Sequence, residues 1–253
     1  MPELLYNTQT SVYDDQTACN AGETQPGEMN AMTAVPFNRI VCGDCLSVLP
    51  ALSEESAQFV LTDPPYLAHY QSRDGRRVPN DDHNAWLKPA FAAIYRVLAR
   101  DSFCVSFYGW HKADQFLQAY RAVGFRVAGH FVFPKRYASG TRFVRYQHEC
   151  AYLLIKGNPS MPDKPVSDVL AWQYTGNKLH PTQKPLSALL PLVQAFSRPG
   201  DLVLDPFAGS GSTLVAAQRL GRRFFGIELD AGYHAIAEGR LQPLSVAGTG
   251  RGM

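Results

Sequence analysis

Apolar residues follow two alternating patterns along the chain: short continuous runs and longer segments with helical spacing. Short runs such as 59–61 and 202–204 predict buried strands. Longer segments such as 86–98 repeat apolar residues at intervals of three and four positions, which predicts helices. Seven strands that alternate mostly with helices, without an internal repeat, predict a single doubly wound α/β sheet, mostly parallel.

The predicted elements leave both ends of the chain outside the folded part. We expect strands at 39–42, 58–62, 103–107, 125–133, 150–155, 202–204 and 223–227. We expect helices at 45–52, 86–98, 112–122, from Pro185 up to Arg198, and at 214–220 and 231–241. These elements place one domain at 36–245, between a disordered or loosely attached arm at 1–35 and a flexible tail at 246–253.

Charge is distributed unevenly between the arm and the rest of the chain. Residues 1–38 contain five acidic residues and neither Lys nor Arg. The remainder therefore has 24 basic and 17 acidic residues, a net charge of +7, against +2 for the whole chain. A moderately basic body is compatible with a polyanion as partner, although alone it is weak evidence.

Several classes of protein are disfavoured by the composition. The chain is long enough for one sizeable α/β domain, has no apolar run of membrane-spanning length, and does not open with a signal peptide. Its five cysteines have no framework spacing, so we expect reduced thiols in a cytoplasmic protein. Cys42 and Cys45 form a single CxxC pair without a second one, so we expect no metal site.

The turn Asp63-Pro64-Pro65-Tyr66 carries the clearest chemistry. Neither proline has an N–H for a strand ladder, so the chain must leave the preceding strand rigidly at its carboxyl end. Asp63 and the Pro64 carbonyl can each accept an N–H from an amino group at the edge of a flat ligand, and Tyr66 offers a ring on which that ligand can stack. A plain strand-ending turn is the simpler alternative.

A second candidate site lies within 201–230, which follows the order strand, glycine-rich turn, helix, strand, acid. Gly209 and Gly211 allow a ligand to approach the backbone closely, and the following helix presents free N–H groups. Glu228, at the end of the next strand, can accept both hydroxyls of a ribose. The pattern indicates a nucleoside site, with a plain tight turn as the alternative.

The residues around the glycines narrow down the nucleoside. Ser212 follows Gly211 where a Walker loop needs Lys, and Leu214 stands where a dinucleotide fingerprint needs a small residue. Asp205, just before the glycines, would repel a pyrophosphate but could hold an ammonium group. A cationic nucleoside without phosphates, such as S-adenosylmethionine, fits better.

Six segments share their residues with motifs of one enzyme family. They are Asp63-Pro64-Pro65-Tyr66, Asp205-Pro206-Phe207-Ala208-Gly209-Ser210-Gly211-Ser212, His180-Pro181-Thr182-Gln183-Lys184-Pro185, Gly226-Ile227-Glu228, Gly43-Asp44 and Tyr146-Gln147-His148-Glu149. The segment 63–66 resembles the catalytic motif and 205–212 the cofactor motif. The segment 180–185 resembles the one that closes over the methionine end of the cofactor. The segment 226–228 resembles the ribose-binding acid, 43–44 the acid that reads the cofactor's adenine amine, and 146–149 a segment whose role we do not assign. The family is that of the DNA amino-methyltransferases, and the resemblance covers about residues 39–241.

The resemblance implies a β-class enzyme with the S-adenosylmethionine-dependent methyltransferase fold and a circularly permuted motif order, since the catalytic motif comes first. Asp63 in place of Ser suits the members that modify adenine. The implied reaction transfers a methyl group from S-adenosylmethionine to the exocyclic amine (N6) of adenine in double-stranded DNA at a specific site, after base flipping. The implied catalytic residues are Asp63, Pro64, Pro65 and Tyr66. The implied cofactor-binding residues are Asp44, His180, Thr182, Gln183, Lys184, Asp205, Pro206, Phe207, Gly209, Gly211, Ser212, Thr213, Glu228 and Leu229.

Target recognition would have to lie in two short loops, 67–84 and 134–183. Their candidate DNA contacts are Arg73, Arg76, Arg77, Lys135, Arg136, Arg142 and Arg145, with ordinary solvated loops as the alternative. A homodimer is implied by resemblance only. A role in restriction-modification fits the family, but the sequence identifies no partner endonuclease.

Four alternatives stay open. The nearest is methylation of the cytosine amine (N4) by an enzyme of the same fold. Methylation of RNA or of a protein amide is less favoured. A catalytically silent DNA-binding module is disfavoured because Asp63, Tyr66 and Glu228 are all present. An NAD-dependent enzyme is disfavoured by Leu214 and by the charge of Asp205.

Overall fold

The computed structural model describes residues 37–69, 78–140, 143–176, 179–180 and 182–242, which contain seven strands, six α-helices and two short 3-10 helices, Leu49–Ala51 and Trp110–Lys112. The strands β1–β7 span Arg39–Cys42, Ala57–Thr62, Leu98–Tyr108, Arg126–Pro134, His148–Lys156, Leu202–Asp205 and Arg223–Glu228. The helices α1–α6 span Cys45–Val48, Leu87–Val97, Ala113–Ala122, Leu186–Phe196, Ser212–Arg219 and Ala231–Leu241. The predicted arm and tail lie outside the described residues.

All seven strands form one sheet in the order β1-β7-β6-β2-β3-β5-β4. Strand β5 runs antiparallel to both its neighbours, and the other pairs are parallel. The prediction of one mostly parallel seven-stranded sheet is therefore confirmed. Strands β2 and β6 are neighbours, with Phe59 opposite Val203 and Val60 opposite Leu204, so their carboxyl ends open on the same edge.

Helices cover both faces of the sheet, because each helix has one apolar side. On one face α2 buries Phe91, Ile94 and Val97 completely. On the other face α4 packs Leu189 and Leu192 into a second core. Burial of a side chain of this size contributes roughly 1.5–3 kcal/mol, so the two cores hold the strand ends in fixed positions.

Strand β3 and helix α4 differ from the sequence prediction. Strand β3 begins at Leu98 rather than 103, because Ala57 pairs with Leu98 and the ladder then shifts register before Phe59 pairs with Phe103. Polar residues at the shift look like a turn in the sequence. Pro185 is not the first residue of α4 but precedes it with an extended backbone, φ −73° and ψ 143°.

The cysteines agree only partly with the expectation of reduced thiols. Cys45, Cys104 and Cys150 are free and buried. Cys42 is disulfide-bonded, so the expectation is wrong for this residue. Within the described residues no helix is long and apolar enough to cross a membrane.

Candidate active site

Four acidic side chains follow four neighbouring strands at one edge of the sheet. Asp44 comes two residues after β1, Glu228 ends β7, Asp205 ends β6 and Asp63 directly follows β2. Because β1, β7, β6 and β2 are consecutive in the sheet, these acids form a row along its carboxyl edge. This edge is where open α/β sheets bind ligands.

Asp63 is held from two sides. Its Oδ1 accepts a hydrogen bond from the Tyr66 hydroxyl at 2.9 Å. Its Oδ2 forms an ion pair with the ammonium group of Lys184, whose side chain is only 6% exposed. Burial raises the pKa of Asp63, while Lys184 and the Tyr66 hydrogen bond act in the opposite direction.

Asp205 lies deeper, between the two central strands. Its Oδ1 accepts hydrogen bonds from Thr62 Oγ1 at 2.9 Å and from the Phe207 N–H at 3.1 Å. Burial raises the pKa of this carboxyl to about 7, although the hydrogen bonds oppose the shift. Asp205 thus joins β6 to β2 and is easily neutralised by a proton or a cation.

Glu228 closes the glycine-rich turn from the neighbouring strand. Its two oxygens accept the N–H groups of Gly209 at 2.6 Å and Asp230 at 2.9 Å. Burial raises the pKa of Glu228 to about 7. At the end of the row, Asp44 accepts the Leu46 N–H at 2.8 Å and thereby caps α1.

A cleft of about 850 Å³, open mouth included, runs along this row of acids. Among the implied cofactor residues, thirteen line the cleft: Asp44, His180, Thr182, Gln183, Lys184, Asp205, Pro206, Phe207, Gly209, Ser212, Thr213, Glu228 and Leu229. Asp63 and Pro65 line it as well.

Gly211 is the implied cofactor residue that does not line the cleft. Its backbone is left-handed, with φ 76°, and it starts α5. A Cβ at this position would come within 2.9 Å of the Ala237 Cβ, so Gly211 allows α5 and α6 to pack closely. Glycine is therefore needed at position 211 for the packing of the two helices.

Several residues that are not among the implied catalytic or cofactor-binding residues also line the cleft. They are Gly43, Cys45, Val78, Pro79, Asn80, Ala208, Ser210 and Tyr233. Tyr233 supports His180, because its ring meets the His180 ring edge-on at a centroid distance of 4.2 Å. Nothing in the local sequence indicates that contact, since 53 residues separate the two rings.

A second hollow, of about 650 Å³ with its open mouth included, borders the catalytic corner at Tyr66. Tyr66 forms one wall, and the end of β3 and the residues before β5 form the others. Trp110 at its rim is 56% exposed and stacks on Tyr146 at a centroid distance of 5.3 Å. A Cβ on Gly109 would lie 2.9 Å from the Tyr66 Cβ, so only a residue without a side chain leaves room for Tyr66 in its observed position.

Lys135 requires a correction. It was expected to contact DNA, but its side chain is 2% exposed and its Nζ lies 2.5 Å from Glu149 Oε1. A buried, paired ammonium group that lines neither the cleft nor the second hollow is not available to a phosphate. Glu149, which the sequence left without a role, also lies near the catalytic corner, with Oε2 3.5 Å from the Tyr66 hydroxyl.

The other candidate DNA contacts divide into two groups. Arg136 and Arg145 are exposed on the 134–147 loop, as a phosphate contact requires. Arg73, Arg76, Arg77 and Arg142 lie outside the described residues.

The family model of the N6/N4 methylases, described as DNA methylase, matches residues 57–239. The chain belongs to this family of DNA methylases. YubD of Escherichia coli (strain K12), named as a candidate methylase, is 50% identical over 205 residues, which cover 81% of this chain and 90% of YubD. S-adenosylmethionine, which the motifs of this chain predict as its cofactor, is a methyl donor and therefore suits a family of DNA methylases.

Solved structures of DNA methyltransferases share the fold. The M1.HpyAVI–SAM complex is 24% identical, with a TM-score of 0.65, over 81% of this chain and 99% of that one. The cytosine-N4-specific PvuII DNA methyltransferase is 21% identical, with a TM-score of 0.68, over 82% and 87% of the two chains. At these identities the likeness concerns the fold alone.

The charges of the cleft fit S-adenosylmethionine. The row of four carboxylates faces a single Lys, Lys184, among the described residues that line the cleft. A sulfonium and an ammonium group suit such a site, whereas a phosphate would be repelled. Lys184, Thr182 and His180 would hold the methionine end, and Asp44 and Glu228 the adenosine end.

Proposed function

We propose that the protein transfers a methyl group from S-adenosylmethionine to the N6 amine of adenine in double-stranded DNA, at a specific site. The observation that carries the proposal is the position of the catalytic corner between two hollows. Asp63 borders the cleft with the row of acids, and Tyr66, bonded to Asp63, borders the second hollow. A cofactor and a base in these two places would meet at the corner.

The chemistry follows from the Asp63 carboxylate. An aromatic amine is a poor nucleophile because its lone pair is delocalised into the ring. Asp63 and the Pro64 carbonyl, each accepting one N–H, would draw the nitrogen towards tetrahedral geometry and localise that lone pair. The bound cofactor supplies a methyl group on a positively charged sulfur. A carboxylate beside the amine stabilises the positive charge that develops on nitrogen.

The same carboxylate can take the proton that the methylated nitrogen must lose. The N–H bond would break and an O–H bond would form at Asp63, whose pKa is raised by burial. Oδ1 is occupied by Tyr66, while Oδ2 has a second lone pair beside the one that faces Lys184. Alignment of the nitrogen with the methyl group supplies much of the rate.

Adenine is favoured over cytosine by the catalytic motif. The resemblance associates Asp at position 63 with adenine-modifying enzymes and Ser with cytosine-modifying ones. Methylation of cytosine N4 remains the second candidate, since the fold is shared with an enzyme of that kind. In either case the base must leave the duplex, and the second hollow with Tyr66, Trp110 and Tyr146 offers aromatic faces for it. Exposed Arg136 and Arg145 are the proposed phosphate contacts.

Nucleoside mass spectrometry tests the proposal. DNA from methylation-deficient cells that express the wild type should contain N6-methyladenine, and DNA from cells with Asp63→Asn should not. Asn keeps the size of the side chain but lacks the charge. Asp163→Asn, an exposed change far along the chain, is the matched control and should leave methylation unchanged. N4-methylcytosine would move the assignment to the second candidate, and no methylated base in the wild type would refute both.

A further inference from the structure

The hydroxyl of Tyr66 faces two carboxylates but has only one proton to donate. Asp63 Oδ1 lies at 2.9 Å and Glu149 Oε2 at 3.5 Å. Burial, followed by the charges of Asp63 and Glu149, holds the pKa of Tyr66 well above its usual value, so the phenol stays protonated. The two acids therefore compete for a single hydrogen bond.

Lys135 weakens the competition from Glu149. Its Nζ lies 2.5 Å from Glu149 Oε1 and 3.0 Å from Ser139 Oγ. Lys135 directly follows β4, and Glu149 lies in β5 opposite Phe133. The antiparallel β4–β5 pair thus carries both charges to a point behind Tyr66, and the ammonium group draws the Glu149 carboxylate towards itself.

We propose that Lys135 and Glu149 are a positioning pair that keeps the hydrogen bond of the Tyr66 hydroxyl on Asp63. The proposal rests on the proposed function, because it gives Asp63 a defined orientation in the methyl transfer. With Tyr66 bonded to Oδ1, the carboxylate keeps Oδ2 turned towards Lys184 and the cofactor cleft. Without Lys135, the uncompensated Glu149 would accept the hydrogen bond of the Tyr66 hydroxyl in place of Asp63 and release Asp63 from this orientation.

A buried ion pair with a purely structural role would behave differently. Loss of such a pair would lower the stability of the protein whether or not the Tyr66 hydroxyl is present, and it would affect cofactor binding and turnover together. A positioning pair acts through the Tyr66 hydroxyl. Its loss lowers kcat, because misplacement of a reacting group by about 1 Å can cost on the order of a hundredfold in rate.

A double-mutant cycle separates these roles. Lys135→Met should lower kcat at least about tenfold with the KM for the cofactor unchanged. Lys135→Met with Glu149→Gln removes both charges and should restore kcat to within about threefold of the wild type. In a Tyr66→Phe background, Lys135→Met should change kcat less than about twofold, because the coupling has already been removed. Lys88→Met, on the exposed side of α2, is the control that should change nothing.

The outcome that overturns the proposal is an equal loss of kcat from Lys135→Met with and without the Tyr66 hydroxyl, or no recovery in the double variant. A measurement without catalysis keeps the test independent of the reaction. With 3-fluorotyrosine in place of the 12 tyrosines, the Tyr66 resonance, assigned by its loss in Tyr66→Phe, should shift in Lys135→Met and return in the double variant. An unmoved resonance overturns the proposal, whereas a wild type that methylates no DNA refutes only the proposed function.

Discussion

Replacement of Asp205 by Asn should stabilise the cofactor-free protein at pH 8 while weakening its binding of the cofactor. Asp205 is buried, and its Oδ1 accepts hydrogen bonds from Thr62 and Phe207. Asn presents an oxygen that can accept both. The substitution therefore keeps the junction between β6 and β2 and removes the charge, which is unfavourable in the folded protein but useful to a cationic ligand.

The size of the effect follows from the pKa of Asp205, which rises from 3.8 to about 7 on folding. A carboxyl whose pKa is raised on folding contributes stability below pH 3.8 and loses it as the pH rises to 7. At pH 8 the loss is roughly 4 kcal/mol, and at pH 5 it is only about 1.6 kcal/mol. Asn escapes this loss. An imperfect fit of the amide hydrogens costs the same at both pH values and cancels, so we expect Asp205→Asn to stabilise the protein by about 2.5 kcal/mol more at pH 8 than at pH 5.

Urea unfolding of the cofactor-free protein at the two pH values measures this difference, with Asp163→Asn as an exposed control of the same chemistry. The control should show no such pH dependence. Calorimetry with S-adenosylmethionine should show at least a tenfold weaker affinity for Asp205→Asn at pH 8. A variant that is less stable than the wild type at pH 8, or whose stability difference does not grow from pH 5 to pH 8, would refute the reasoning.

Three further predictions concern the walls of the two hollows. Gly109→Ala places a Cβ 2.9 Å from the Tyr66 Cβ and should lower kcat about tenfold or more at an unchanged cofactor affinity; steady-state kinetics with unchanged kcat would contradict this. Lys184→Met should weaken binding of S-adenosylmethionine about tenfold but not of adenosine, which lacks the carboxylate, and equal losses in calorimetry would refute that role. Trp110→Ala should raise the KM for DNA several-fold without changing the affinity for the cofactor, and an unchanged KM would exclude Trp110 from DNA binding. In addition, because the pKa of Glu228 is about 7, calorimetry should find the cofactor affinity falling as the pH drops from 8 to 6, and a pH-independent affinity would contradict the assigned charge.

The sequence was sufficient for features that depend on one segment and its place in the sheet. Asp63 and Asp205 each follow a continuous apolar run, and such runs become central parallel strands. The turn residues after the runs then fix which side chains stand at the carboxyl edge. That the two strands are neighbours was implied by the family resemblance alone, and the pairing of β2 with β6 confirms it although 142 positions separate Asp63 from Asp205.

The sequence was not sufficient where a residue's role depends on a partner from another part of the chain. Lys135 lies among arginines and aromatic residues, which is the pattern of a solvated basic loop. Only the pairing of β4 with β5 brings it opposite Glu149 and buries it. The sequence did not indicate a role for Gly109 either. Glycine is needed there because the fold places the Tyr66 Cβ next to it, 43 positions away in the chain.

The raised pKa values of Asp205 and Glu228 connect stability with ligand choice. Both groups are near 7 because burial disfavours their charged forms more than their hydrogen bonds favour them. A cation that enters the cleft reverses this balance, since it stabilises the charged forms without exposing them to water. Without a ligand, the burial of these acids is therefore least favourable above about pH 7, where both are charged, and a cationic ligand offsets it most there. A phosphate would add a like charge to the same row, so the unfavourable burial of these acids is itself a source of specificity for S-adenosylmethionine.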